Sequence, residues 1–393
     1  MKPSLPPETK KLSRVVMLLS NAYDPDDRVR NEALALHTEG YEVVILAWDR
    51  FGSKPKEETH NGIQVKRVQL RSGYGQSFLK FLAYGLLWVS FLFRTAALKP
   101  DVVHCHDFDT FFVGLIYSSL AQRCKFVFDA HENYAMMMKP LVPIVIYRLI
   151  RHLENKFVKH ADLVISACKA TANFYGEMGA KNVITVGNWK SPDAYKFSRE
   201  SIESKKNAIG VDDQLVITYI GSLTEDRNVI PLIQAVKSRS GYFLMIGGAG
   251  GQEAQIKKLA EGAANIYFPG YIHPDEVPLY TALSDIIYYG LDASDPYAPY
   301  NSPNKLFESL AAGKPILACD LGGELTSIVR LCNCGFLIKS METTIIGDAL
   351  DHLVDENYRR EFADKSKSAG ENQYNWRIAK QKLLSAYNLL VKE

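Results

Sequence analysis

Short apolar runs rich in Val, Ile and Phe alternate with longer amphipathic stretches along almost the whole chain. The runs read as strands and the stretches as crossover helices, the pattern of parallel βαβ units. In the first half the spacing predicts strands at Val15–Ser20, Val43–Ala47, Ile63–Val68, Val102–His104, Phe126–Asp129, Leu163–Ser166 and Val183–Val186. Helices are predicted between them at Arg28–Thr38, Gln76–Leu98, Thr110–Gln122, Val142–His160 and Lys169–Met178. From Gly187 to Asp213 the order is lost, and Lys, Ser, Asp and Asn mark a connecting segment. A second alternation predicts strands at Leu215–Ile220, Phe243–Ile246, Ile266–Phe268, Ile286–Tyr289, Ile316–Ala318 and Phe336–Ile338. Their helices fall at Val229–Ser238, Glu253–Ala263, Glu276–Ala282, Lys305–Ala312 and Thr344–Asp355. The expected fold class is α/β, with two doubly wound Rossmann-like domains, 1–190 and 191–374, facing each other across a cleft. A helix within 375–393 is expected to pack back on the first domain. Ligands of such sheets sit outside the carboxyl ends of the strands, which makes the cleft the expected site.

Composition narrows this little. The 393 residues are enough for two large cores, and 47% hydrophobic with 23% charged residues is ordinary for a soluble globular protein. A net charge of +2 gives no global electrostatic case for nucleic-acid binding. The six cysteines form no CxxC pair or zinc spacing, which fits buried, reduced thiols in a cytoplasmic setting. The polar start, Met1 to Arg14, does not read as a secretory signal. Phe81 to Phe93 is uninterrupted by charge but short of the roughly 20 apolar residues a transmembrane helix needs. Two readings stay open: a buried core helix, or a helix lying on a membrane surface, with Trp88 and the basic flanks Lys80 and Arg94 favouring the second. Met136 to His152 repeats the mixture of apolar and basic residues, so peripheral contact with the inner face of the cell membrane is an expectation to test.

The segment from Asn301 to Pro315 carries the most chemistry. Ser302 suits an N-cap and Pro303 the first helical position, while Leu306, Phe307, Leu310 and Ala311 fall on one apolar stripe. Gly313 is the expected stop. Such a helix start presents free N–H groups and a partial positive charge, and Lys305 adds a full one, which makes a seat for phosphate. Asn304 and Glu308 lie off the apolar stripe, and Glu308 is placed to accept bonds from ribose hydroxyls. A capped helix with a solvated polar face explains the same residues without a ligand. Other segments point the same way at successive strand ends: Gly221-Ser222-Leu223 with Arg227, the loop Gly247-Gly248-Ala249-Gly250-Gly251, and Phe268-Pro269-Gly270-Tyr271. Gly221 and Gly248 allow close backbone approach, Arg227 suits bidentate contact with phosphate, and backbone groups around Gly270 are placed to read a base edge. Plain βα turns explain each of these singly.

In this order the motifs resemble the family 4 glycosyltransferases, which have the two-domain GT-B fold. The resemblance starts at Asp27-Arg28-Val29-Arg30-Asn31-Glu32-Ala33 and runs through Asp101–Asp107 and Phe128-Asp129-Ala130-His131-Glu132. It continues through the three glycine segments and ends in Ser302–Glu308 with Gly313-Lys314-Pro315. It implies a retaining hexosyl transfer with a nucleotide-sugar donor on the second domain and a glycan or lipid-linked acceptor on the first. Glu308 then lies on the donor ribose, Ser302 to Lys305 hold the diphosphate, and Arg227 stands where the family usually has a phosphate-neutralising Lys. His131 matches a catalytic His near the reacting sugar, and Asp27-Arg28 sit in a loop facing the acceptor. Surface polysaccharide assembly is the implied setting. No cofactor and no metal are expected, since Asp24-Pro25-Asp26 reads as a turn and His104-Cys105-His106 as a strand end beside Asp107 and Asp109.

Two positions depart from the pattern. Tyr300 stands where the family has a first glutamate contacting the donor sugar, and Ser222 replaces a basic residue after the strand-end glycine. They keep two alternatives open: a nucleotide-sugar epimerase of the same architecture, and a non-catalytic glycosyltransferase-like subunit.

Overall fold

A computed structural model describes residues 13–23, 26–72, 78–295 and 298–392. The chain divides into two compact units, one from Met1 to Val186 completed by Lys380 to Glu393, the other from Gly187 to Ala379. Asp24 and Pro25 of the predicted acidic turn, and Gln76 of the second predicted helix, lie outside the described residues.

The first unit is built on eight strands: β1 (Arg14–Leu19), β2 (Glu42–Trp48), β3 (Glu57–His60), β4 (Ile63–Val68), β5 (Val102–His106), β6 (Lys125–Ala130), β7 (Leu163–Ser166) and β8 (Val183–Thr185). They lie in the order β3-β4-β2-β1-β5-β6-β7-β8. Every pairing is parallel except β3 with β4. Val15 to Leu19 are buried without alternation, as a strand covered by helices on both faces requires. The antiparallel β3 is a correction to the sequence reading. Its four residues are all exposed, so it carries no hydrophobic pattern, but the Asn61-Gly62 turn that makes it, with both φ positive, was legible. Under the sheet Phe111, Phe126 and Phe128 form an aromatic core, with Phe111 and Phe128 edge-on at 4.9 Å. Such pairs add roughly 1 kcal/mol each beyond their buried area.

The apolar run lies in the helix Phe78–Leu98, which has one buried and one exposed apolar face. Ala83, Leu87 and Phe91 are buried in this core, one turn apart. Leu82, Leu86, Val89 and Phe93 form an exposed stripe, with Phe93 74% accessible.

The second unit holds β9 (Leu215–Ile220), β10 (Tyr242–Gly247), β11 (Ile266–Tyr267), β12 (Ile286–Tyr289), β13 (Ile316–Cys319) and β14 (Gly335–Ile338). Their order is β11-β10-β9-β12-β13-β14, all parallel. The order reverses between β9 and β12, and the crevice outside strand ends at such a reversal is where doubly wound sheets bind ligands. Three helices of this unit were not foreseen, one of them Glu324–Cys332 between β13 and β14. Arg199–Ile209 lies in the predicted connecting segment, where Ser198 Oγ accepts the Ser201 N–H at 3.1 Å and Gly210 closes the helix at φ +79°. Glu356–Asn372 is polar on most sides, and it crosses the Asn304–Ala312 helix so closely that a Cβ on Gly370 would lie 2.3 Å from the Leu310 carbonyl oxygen.

Candidate active site

In the second unit the loops after β9, β10 and β11 are knitted together by their backbones. The Gly221 N–H donates to the Gly247 carbonyl at 2.9 Å, the Gly248 N–H to Gly270 at 2.8 Å, and the Leu223 N–H to Ala249 at 3.0 Å. Gly248 has φ +143°, and a Cβ there would sit 1.8 Å from the Gly221 carbonyl oxygen. Packing of loop on loop therefore requires this glycine before any ligand is considered.

Lys305 reaches the same place. Its Nζ lies 4.7 Å from the Tyr219 ring centroid, and 2.6 Å from where a Cβ on Gly221 would be. Among the described residues its ammonium makes no hydrogen bond or ion pair with the protein. Burial pushes the amine down to about 8, with Glu308 opposing the shift and Arg227 adding to it. A cation desolvated in this way is a favourable partner for an incoming anion. Arg227 lies on a turn, Glu225–Arg227, and its Nε pairs with Asp226 at 3.1 Å. The next residue, Asn228, is left-handed and anchored by its Nδ2 on the Gly290 carbonyl at 2.8 Å.

The helix behind Lys305 begins one residue later than its sequence suggests. It spans Asn304–Ala312, with an extended Pro303 in the cap position and no side-chain cap. Pro303 itself is extended, at ψ 132°, which leaves Ser302 one residue outside the cap position. The Ser302 hydroxyl is buried instead, without a hydrogen-bond partner. Unpaired N–H groups, an unpaired hydroxyl and the Lys305 ammonium thus gather at one helix entrance. Leu306, Phe307 and Leu310 are fully buried, Gly313 ends the helix at φ +63°, Asn304 is exposed and Glu308 half-buried. Tyr300 ends a short turn, Ala298–Tyr300, and the Ser222 carbonyl accepts the Tyr219 hydroxyl at 2.6 Å.

The first unit gathers charge differently. The β5–β6 register sets His106 beside Asp129, and His131 follows one residue after β6. Arg28 donates from Nε to Asp129 Oδ2 at 3.0 Å, from Nη2 to Oδ1 at 2.6 Å, and from Nη1 to the Val186 carbonyl at 2.6 Å. Its Nη2 is also 3.2 Å from Glu32, and its side chain is only 9% exposed. Asp27 and Arg28, expected in a loop, open the helix Asp27–Thr38 instead. Asp26 caps the helix Asp27–Thr38 by accepting the Val29 N–H, which turns Arg28 and Glu32, one turn apart, towards the sheet. Asp27 remains half-exposed and pairs with Arg30 at 2.7 Å.

His131 faces carboxylates at both ring nitrogens, with Nε2 3.2 Å from Asp129 and Nδ1 3.6 Å from Asp107. Its Nε2 is also 3.0 Å from His106 Nδ1, and its side chain is 19% exposed. Burial alone would lower its pKa, but Asp107 and Asp129 outweigh that and push it up to about 10. Burial works to raise Asp129, yet Arg28, His131 and His106 hold it well below the carboxylate range. Glu32 is pushed up to about 8 by burial and by Asp129, with Arg28 opposing, and neither of its oxygens has a hydrogen-bond partner. His104 stacks on His106 at 4.3 Å, and its Nδ1 is 2.7 Å from the buried Tyr387 hydroxyl.

Glu32, His104, His106 and Asp129 place ligand-type atoms within 4.8 Å of one another, a donor set of the kind that holds a divalent ion. Both oxygens of Asp129 already accept from Arg28, and the same guanidinium lies 3.2 Å from Glu32, so any ion there would share these carboxyl groups with a fixed cation. Glu32 and Asp129 were given no role from the sequence, and Asp107 was weighed there only as one of an acidic pair with Asp109. The signal available was a lone acid inside an apolar stripe or strand, as in Phe126-Val127-Phe128-Asp129-Ala130.

Family models match both units: a "glycosyl transferase 4-like domain" over residues 25–189 and "glycosyl transferases group 1" over residues 201–376. The chain belongs to the family 4 glycosyltransferases of GT-B type. This glycosyltransferase is 22% identical to an uncharacterized glycosyltransferase of Methanocaldococcus jannaschii, over 92% of each chain. It is also 22% identical to the capsular polysaccharide biosynthesis glycosyltransferase CapM of Staphylococcus aureus, covering 75% of this chain and 78% of CapM. Among solved structures it is similar in fold to sucrose-phosphate synthase from Thermosynechococcus elongatus (TM-score 0.77, 16% identity, 96% and 99% coverage). It is likewise similar to Anabaena HepE in complex with UDP-glucose (TM-score 0.70, 16% identity, 95% and 99% coverage). Arg28, Asp107, Asp129 and His131 fall in the first matched segment, and the Lys305 seat in the second.

Proposed function

We propose that this glycosyltransferase takes a sugar from a nucleoside-diphosphate sugar seated on the second unit. It passes that sugar, with retention, to a glycan or lipid-linked acceptor used in surface polysaccharide assembly. The observation that carries the donor half is the half-buried Lys305, without a hydrogen bond or ion pair among the described residues, beside the uncapped start of Asn304–Ala312. A departing nucleoside diphosphate gains negative charge as the anomeric carbon becomes cationic, and fixed donors aimed at that charge lower the barrier. Lys305, Arg227 and the helix N–H groups supply them in this reading, without a metal ion, and Glu308 takes the ribose hydroxyls. His131 acts on the reacting sugar as a cation and hydrogen-bond donor. Support also comes from the UDP-glucose held by HepE and from the role of CapM in capsular polysaccharide biosynthesis.

The test is incubation of the purified protein with a panel of nucleotide sugars and lipid-linked acceptors. Transfer with retained anomeric configuration is expected, and His131→Ala should cut turnover by about 10²-fold or more while donor affinity changes less than about twofold. An isomerised donor would indicate an epimerase, and no donor binding at all would sink the reading.

The acceptor half includes a membrane surface. No helix among the described residues is long and apolar enough to cross a membrane. The exposed stripe Leu82, Leu86, Val89 and Phe93, with Leu141, Val145 and Leu149 near the basic Arg148 and Arg151, suits the inner face of an anionic bilayer. Co-sedimentation with anionic vesicles should fall in a Phe93→Asp, Val145→Asp variant; equal binding would remove the membrane from the proposal.

A further inference from the structure

Asp107 stands between β5 and the helix Phe108–Leu120, where an aspartate ordinarily caps free N–H groups. Here it makes no side-chain cap bond, and its backbone lies at φ +60°, ψ 164°, a region that only glycine enters without strain. The strained peptide is held from both sides: its N–H donates to the Asp129 carbonyl at 2.9 Å, and its carbonyl accepts the Thr110 hydroxyl at 3.2 Å. The carboxylate is turned onto His131 instead of the helix. Oδ1 accepts the His131 backbone N–H at 3.2 Å, and Oδ2 lies 3.6 Å from the ring Nδ1. One third of the Asp107 side chain is exposed, at 33%, whereas Asp129 on the opposite side of the ring is fully buried.

We propose that Asp107 is a positioning residue, held in a strained conformation so that its carboxylate fixes His131 as an oriented imidazolium. Resting on the reading of His131 as the group that addresses the reacting sugar, this gives the two ring nitrogens different tasks. Nε2–H is tied to Asp129, itself held by Arg28 and His106. Nδ1–H is the looser of the two, beyond hydrogen-bond length from Asp107, and is the donor left to meet a ligand. An imidazole closed in this way can neither attack an anomeric carbon nor accept a proton. It offers positive charge and one N–H. Glu32 faces the ring from the first helix and Arg28 opposes the ring's charge, while Asp107 is pushed up to about 7 by burial, with Asp109, Asp129 and Glu132 adding to that shift and His131 opposing it.

The experiment compares Asp107→Asn, Asp107→Gly and Asp107→Ala in the full chain. NMR of isotope-labelled histidine should show His131 of the Asn variant losing its proton at least one pH unit lower than in the parent. Turnover should fall at least tenfold with the donor KM within twofold. Asp107→Gly should melt several degrees above Asp107→Ala, reversing the usual penalty for glycine, because only glycine relieves the strain. An unchanged His131 titration in Asp107→Asn, or an alanine variant that melts as high as the glycine one, would overturn the proposal. The titration and melting readouts do not depend on transferase activity. If both behave as stated while no protein transfers sugar, the glycosyl-transfer reading fails and the positioning role stands.

Discussion

The two units use buried charge in opposite ways. In the first, Arg28, His106 and His131 are tied together around Asp129 and the guanidinium donates to the protein, while Glu32 lies beside it with no hydrogen bond to either oxygen. In the second, the half-buried Lys305 makes no hydrogen bond or ion pair among the described residues, its ammonium lying over the Tyr219 ring, and the buried Ser302 hydroxyl has no hydrogen-bond partner. A tied network is set up for rigidity, whereas an open cation waits for a ligand to supply the missing half. Burial without a partner is costly, and a fold keeps it where binding recovers the cost.

The contrast can be broken most directly by removing a cation from each unit. Arg28→Ala should destabilise the first unit by about 3–5 kcal/mol, the usual result of stranding buried carboxylates, read as a large loss in melting temperature. A variant that melts like the parent would show that Arg28 does not tie the network. Lys305→Met should do the reverse. Its amine is depressed below the ordinary lysine value, so at neutral pH the folded state carries a charge it disfavours, and melting should stay level or rise. Donor affinity, measured by calorimetry, should drop roughly 30- to 100-fold, about 2–3 kcal/mol. A donor titration unchanged by this variant would close the seat as a site.

A smaller effect follows from the sign of that shift. Below pH about 8 Lys305 is already protonated in the free protein, so donor binding needs no proton. Above it, binding must take one up, and affinity should fall towards about tenfold per pH unit. Lys305→Arg should flatten that slope. The smallest expected change is in the network. Glu32 keeps its proton in the folded state up to about 8, well above its unfolded value, so its contribution is full below the unfolded value and declines as pH rises towards 8. Glu32→Gln should leave the melting temperature at pH 5 nearly unchanged while flattening its decline to pH 8. A parallel pair of pH curves would show that Glu32 is ionised in the fold.

Much of this molecule was legible in its order of residues. Both sheets, the stripe Leu306-Phe307-Leu310 and the Gly313 stop follow from periodicity and from backbone rules that act over one or two turns. What escaped was of two kinds. Polar elements such as Glu57–His60 and Arg199–Ile209 carry too little hydrophobic signal, though Asn61-Gly62 and Ser198 marked their turns. The cap was misplaced by one residue: a proline ring fixes φ but not ψ, and Pro303 takes an extended ψ of 132°.

The sequence by itself determined the parallel α/β architecture, the glycine loops and the presence of a cation at one helix entrance, since local pattern and propensity suffice for these. Only the tertiary structure decided which charges are spent and which are kept. Arg28 and Asp129 are 101 residues apart, and Lys305 meets Gly221 across 84. Pairing of that kind depends on register between strands and on which face a helix turns inward, and neither is written in the neighbours of any one residue.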